Sequence, residues 1–317
     1  MNMLSARQIQ AISADPACCT RAITVSSIDF SRPFLHECFT PLYYTPLYKR
    51  LNHDQRLRYN QLSGMKVNEQ FMLLEREFTD RILTKLRRHP AIVRRPNLMA
   101  CVDEMIFEEG CHADMFQALN RQCLPDIYTD TDRYFAKLGR VEASSIRMAT
   151  FLYRQLTFLL WFLVAVEEYS VGLSYAMMRT SQTETLGVLE SNFLRVHAEH
   201  VKDESRHVHI GALLIEACFS SASKFSRWVN AYLFTAFMDY VATPSSAVCV
   251  IRHLVKEHAE LLPLESELVS GVMAVKQNEA FRQSQFNRTL LPHTFALLDA
   301  QPEFRARQVT SRGRGAK

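Results

Sequence analysis

Residues 197–210 read HAEHVKDESRHVHI, four histidines and three acids in one short stretch. Within it Glu204-Ser-Arg-His207 has the spacing Glu-x-x-His, and Glu109-Gly-Cys-His112 repeats that spacing upstream. On a helix, residues i and i+3 share a face, so a carboxylate and an imidazole at that spacing reach one metal ion together. Carboxylates bridge two metals and histidine adds a neutral nitrogen donor. Two Glu-x-x-His pairs on two helices, with one further Glu from each of two others, make up the ligand set of a di-metal carboxylate bundle. Either pair alone is ordinary helix-surface chemistry. Four inward carboxylates without cations would carry a prohibitive burial cost, which two divalent ions offset.

The surrounding sequence supplies such helices. Residues 54–88 read as one long helix, 97–122 as a second, 142–180 as a very apolar third and 185–222 as a fourth. Pro90, Pro96 and Pro125 punctuate the first joins. The segment PLYYTPLYKRL, 41–51, reads as extended chain packed on a core. Two or three more helices are expected up to residue 300, broken at Pro244, Pro263 and Pro292. No strand is expected, and nine glycines in 317 residues suit a helical chain. The fold class is therefore all-α. A four-helix bundle core of about 54–222 is wrapped by additional helices in a single domain, 1–300, with a basic tail at 301–317.

Helix phase, at about 100° per residue, chooses among the remaining acids. Phe71, Leu74, Phe78 and Ile82 define the apolar face of the first helix, with Glu75 beside it and Glu69 on the far side. Glu75 also matches Glu109 in height if the first two helices are antiparallel. On the third helix Arg154 and Arg179 mark the solvent side, which favours Glu167 over Glu168 unless a π-bulge shifts the phase. His200, Glu204 and His207 fall within about 60° of one another.

Composition bounds the rest. Hydrophobic residues make up 48% and charged residues 22%, as in globular proteins. The net charge is 37 − 33 = +4, part of it in the tail RARQVTSRGRGAK, whose basic residues lack the interleaved aromatics of a nucleic-acid site. No basic region followed by an apolar run opens the chain, and the longest apolar run, FLLWFLVAV at 158–166, is too short to span a bilayer. Eight cysteines without a CxxC pair suggest neither a disulfide framework nor a zinc site. These features lead us to expect a cytoplasmic protein that binds neither nucleic acid nor membrane.

The ligand pattern resembles the p-aminobenzoate N-oxygenase-like family of non-haem di-iron oxygenases, in the ferritin-like superfamily. That family carries two copies of a Glu, a spacer and Asp-Glu-x-x-His. Asp203-Glu204-Ser205-Arg206-His207 matches the second copy, preceded by Glu167. Glu75 precedes the first copy, in which Glu108 stands where the family has Asp. The resemblance implies seven metal ligands: Glu75, Glu109, His112, Glu167, His200, Glu204 and His207. His200 is the additional one, a neutral donor expected to tune reactivity. Asp203, Arg206 and His197 are expected behind the ligands, though a solvated helix face is the plainer reading of each. The family further implies two iron ions, with manganese not excluded by these ligands, and O2 as co-substrate. The reaction would convert an amine, arylamine or amino-acid-derived, to a hydroxylamine, nitroso or nitro product, in secondary metabolism. Phe71, Met105, Phe116 and Leu163 are candidate pocket residues. Electrons must come from an external reductase or ferredoxin, because no flavin or nicotinamide motif is present. A homodimer is compatible with the sequence. The competing readings are a ferroxidase and a radical-generating bundle.

Overall fold

The computed structural model describes residues 3–20, 25, 27–219, 222–241 and 243–304. Among these the helices are α1 Ala6–Ser13, α2 His53–Leu73, α3 Asp80–Leu86, α4 Pro90–Val93, α5 Pro96–Cys123, α6 Arg140–Phe151, α7 Phe158–Arg179 and α8 Ser191–Phe219. They are followed by α9 Lys224–Val241, α10 Ser245–Glu257, α11 Glu265–Ala274, α12 Glu279–Gln285 and α13 Pro292–Asp299. The described residues form no strand, only one isolated bridge between Gln182 and Val188. The fold is an all-α, ferritin-like bundle of α2–α3, α5, α7 and α8, with the other helices packed around it.

The first bundle helix starts at a capping box between Asn52 and Gln55 and runs without a break through α3. Between α2 and α3, Leu74–Thr79 is a π-helical turn. The sequence pattern leaves room for such a bulge on the third helix. It lies instead on the first, around Glu75, and π turns favour functional positions. Pro96 opens α5 at its first turn, where the missing N–H is not needed.

Two expected helices are shorter than the sequence suggested. The third was expected over 142–180 but is divided into α6 and α7. Asn230 of α9 occupies the break, accepting from the Phe158 backbone N–H at 2.9 Å and donating to the Gln155 carbonyl at 3.0 Å. The fourth begins at Ser191 rather than near 185. Gly187 has φ +90°, and the Glu190 carboxylate caps the start of α8 by accepting from the Phe193 N–H at 2.6 Å. Residues 41–51 form two 3-10 turns, Pro41–Tyr44 and Pro46–Arg50, rather than extended chain. Among the described residues five helices, not two or three, follow α8. The tail was expected from 301, but Phe304 is buried against Trp161 and Phe234. Residues 305–317 lie outside the described residues.

α7 is long and apolar enough to cross a membrane, yet 72% of its apolar window is buried in this fold. A second apolar stretch, 224–257, is 29% buried. α7 and α8 approach closely because residue 211 is glycine. A Cβ there would stand 2.5 Å from Val164 Cγ2. Gly211→Ala is expected to lower stability by about 1–3 kcal/mol, since an overpacked core must shift backbone or rotamers. Denaturant titration of the two proteins checks this.

The core has two apolar clusters. One contains Phe71, Phe116, Leu173 and Val196, and the other Phe78, Met105, Leu163 and Val208. On each bundle helix the polar positions named above fall between those pairs. The candidate ligands therefore form one polar layer separating two apolar ones.

Candidate metal centre

Each bundle helix sends its acid or histidine into this layer. Ligand-capable atoms of Glu109, His112, Glu204 and His207 lie within 4.8 Å of one another, as do those of Glu75, His112 and His200. Glu204 is central. Its Oε1 is 3.1 Å from His112 Nδ1, 3.1 Å from His200 Nε2 and 3.3 Å from His207 Nδ1. Glu75 Oε1 is 3.3 Å from His200 Nε2, and Glu109 Oε1 is 3.3 Å from His207 Nδ1. Glu167 Oε2 is 4.0 Å from His207 Nδ1. All seven residues are buried.

Glu167 faces the layer and its neighbour Glu168 does not. Glu168 points the other way and accepts from the backbone N–H groups of His293 and Thr294, both at 2.6 Å, at the start of α13. It is a helix cap, which locally read phase could not reveal. Glu69 differs from expectation too. It is not on a solvent face but fully buried, accepting from Tyr128 Oη and the backbone N–H groups of Tyr134, Phe135 and Ala136.

A contrast between buried carboxylates tests whether the layer suits metal ions. Glu37, Glu69, Glu168 and Glu190 each accept hydrogen bonds from backbone N–H groups or hydroxyls. In the layer, Glu75 Oε2, both oxygens of Glu109 and Glu204 Oε1 have no hydrogen-bond partner. Neither do His112 Nδ1, His207 Nδ1 and either nitrogen of His200. Buried polar atoms are rarely left unpaired, and a bound ion can satisfy those that lack a donor. Here carboxylate oxygens and imidazole nitrogens converge without pairing to one another in hydrogen-bond geometry, so the residues present fit a pair of divalent cations.

The outer nitrogens of two histidines are held in a reciprocal pattern. His112 Nε2 of α5 lies 2.9 Å from Asp203 Oδ2 of α8, and His207 Nε2 of α8 lies 2.8 Å from Glu108 Oε2 of α5. A carboxylate only accepts, so each Nε2 carries its proton and each Nδ1 faces the centre. Arg206 ties the two acids together, donating to Asp203 at 2.8 Å and also to Glu108. Thr20 adds its backbone N–H to Asp203 at 3.0 Å. Asp203 and Arg206 are thus buried behind His112 and His207 rather than on a solvated helix face. The longer Glu108 reaches its histidine as Asp203 does.

His197 is buried, its Nε2 3.1 Å from Asn68 Oδ1. Burial, with the charge of His200 nearby, drives its pKa down to about 3, so it stays neutral. It packs against Phe71, Phe116 and Phe193 and is a core residue behind the layer. Among the candidate pocket residues, Phe71 lines a small cavity at the centre together with Leu74, Glu75, Thr79, Glu167 and His200. Phe116 packs on the His200 ring, while Met105 and Leu163 lie within the second apolar cluster.

The family model for the p-aminobenzoate N-oxygenase AurF matches residues 25–251, a span that contains the seven candidate ligands and Glu108, His197, Asp203 and Arg206, while Thr20, His293 and Thr294 lie outside it. The chain belongs to the AurF family. No curated protein matches it. The family match ends within α10, so α11–α13 lie beyond it.

In this AurF-family centre, electrostatics without metal follow from the crowding. Burial raises Glu109 to about 7, helped by Glu204 and opposed by the neighbouring His207. Burial also raises Glu167 well above the carboxylate range, with Glu109 and Glu204 adding to it. Burial would push His112 down, but Asp203 and Glu204 outweigh it and lift His112 to about 10.

Asp203→Ala is expected to weaken metal binding about 10–100-fold by freeing the His112 ring, the usual scale for such supporting partners. Glu108→Ala should do the same at His207. The double variant should fall short of the sum, because Arg206 couples the two acids. Competitive metal titration of the three variants checks both points.

Proposed function

We propose that the protein is a di-iron N-oxygenase whose ligands are Glu75, Glu109, His112, Glu167, His200, Glu204 and His207. The observation that carries this reading is the set of donor-less carboxylate and imidazole atoms converging in one buried layer of an AurF-family chain. Two bound iron ions would supply activation of O2 and transfer of oxygen to an amine nitrogen.

The chain's own contribution is positional. Asp203 and Glu108 hold the Nε2 protons of His112 and His207, which leaves the Nδ1 lone pairs available. Ser170 Oγ shares its one proton between the Glu167 carbonyl at 2.8 Å and Glu204 Oε2 at 3.3 Å, which places it against that carboxylate. The apolar clusters above and below exclude water, so charges in the layer interact in a low dielectric. His200 adds a neutral donor beside Glu75 and Glu204. Electrons come from an external donor, a reductase or ferredoxin. The amine is an arylamine first, and an amino-acid-derived amine second.

The test loads the protein with Fe(II), supplies reductant and 18O2, and offers p-aminobenzoate and a panel of aryl and aliphatic amines. Mass-spectrometric detection of 18O on nitrogen supports the reading. Stoichiometric iron and O2 consumption with no N-oxygenated product from any amine would overturn it.

A further inference from the structure

Among the described residues, the buried hydroxyls without a hydrogen-bond partner are those of Ser13, Thr79, Thr157, Ser174 and Thr294. Thr79 differs from the others because it lines the cavity at the centre. Glu75, Glu167, His200 and Glu204 line the same cavity. Thr79 closes the π-helical turn one turn beyond Glu75, and only 1% of it is exposed. The other hydroxyl on the cavity wall, Ser170, is already committed to the Glu167 carbonyl and the Glu204 carboxylate. Thr79 therefore brings the one unengaged O–H donor among the described lining residues.

Size bounds its partner. The cavity has about 10 Å³ of room for a water-sized molecule. That is about one water-sized molecule and far too little for an arylamine, and O2, the co-substrate of the di-iron reading, is the small reactant on that scale. The walls at Phe71, Leu74 and Val166 are apolar, so a small neutral molecule enters more readily than a charged one.

We infer that Thr79 Oγ1 donates a hydrogen bond to molecular oxygen held in this cavity beside Glu75, His200 and Glu204. The inference rests on the di-iron reading above and adds a residue that contacts the co-substrate. A buried hydroxyl with no partner in the resting fold loses little when it turns toward the oxygen, whereas a paired hydroxyl would first have to break a bond. The same donor explains why the position carries threonine rather than the isosteric valine that an apolar wall would take.

Nitric oxide, a diatomic that binds Fe(II), serves as the probe in the iron-loaded protein. The expected result is an N–O stretch that shifts between H2O and D2O in the wild type and in Thr79→Ser, and loses that shift in Thr79→Val and Thr79→Ala. The KM for O2 should rise about tenfold in Thr79→Val, the scale of one hydrogen bond, with amine affinity unchanged. Circular dichroism and iron stoichiometry establish that each variant is folded and loaded, and Thr79→Ala replaces Thr79→Val if the latter is not. An H/D shift that survives removal of the hydroxyl overturns this inference alone. A wild-type chain that binds no iron overturns both it and the di-iron reading.

Discussion

Glu204→Ala is expected to lower bound iron from two equivalents to less than one, and oxygen transfer by roughly a thousandfold or more, comparable to loss of a central catalytic group. The reason is geometric. Glu204 Oε1 faces His112, His200 and His207 within 3.3 Å, so one carboxylate serves all three candidate histidine ligands of the layer. Nothing nearby replaces it, because Glu75, Glu109 and Glu167 already have their own places. Without it three buried imidazoles face one another with less negative charge. Each is then less able to remain protonated and less able to share a cation. Glu204→Gln keeps the shape, removes the charge, and should lose iron nearly as completely. Glu199→Ala is the control. Its carboxylate pairs with Lys202 at 2.6 Å on the partly exposed side of the same helix, and iron content should be unchanged. Elemental analysis of the purified, reconstituted proteins measures the effect directly. Two equivalents of iron in Glu204→Ala would remove that residue from the centre.

The centre was legible in the sequence because its rule is local. Glu109 and His112, or Glu204 and His207, are three residues apart on one helix, and phase places Glu75 and Glu167 on faces that turn inward. Those choices need no knowledge of distant chain, and the structure brings the same side chains together. The errors have the opposite character. The break between α6 and α7 depends on Asn230, about seventy residues away in sequence. Glu69 lies on the far side from the apolar face of its helix, yet a loop at 134–136 folds over it and donates three backbone N–H groups. Glu168 caps a helix that begins at Pro292. In each case a polar group is satisfied by a remote segment, which no periodicity reports. Thr79 is intermediate. Its spacing of four from Glu75 was readable, but not its lack of a partner, which depends on everything packed around it.

Removing the metal is expected to cost more stability than any substitution outside the layer, and the cost should grow with pH. Two ions present at about a thousand times their dissociation constants would each contribute about 4 kcal/mol, enough to lower Tm by roughly 10 °C on chelation. In the metal-free fold, protonated histidines take over the counter-charge. His112 is held up to about 10 against an ordinary value near 6.5, despite burial, by Asp203 and Glu204. A raised pKa contributes stability that is full below the unfolded value and is lost as pH rises through the folded one. For His112 that loss runs from about 6.5 to about 10. Glu109 acts in the same direction, since its proton is retained to about 7 and its loss adds an uncompensated buried charge. Metal-free protein should therefore be most stable on the acid side of neutrality and weaken steadily above it. In the loaded protein the cations replace those protons, so its stability should change much less over the same range. The difference in Tm between loaded and chelated protein should widen from about pH 6.5 to about pH 9. Calorimetry at matched ionic strength measures it. A constant or shrinking difference would mean that the histidines are not the groups that balance the carboxylates when the metal is absent.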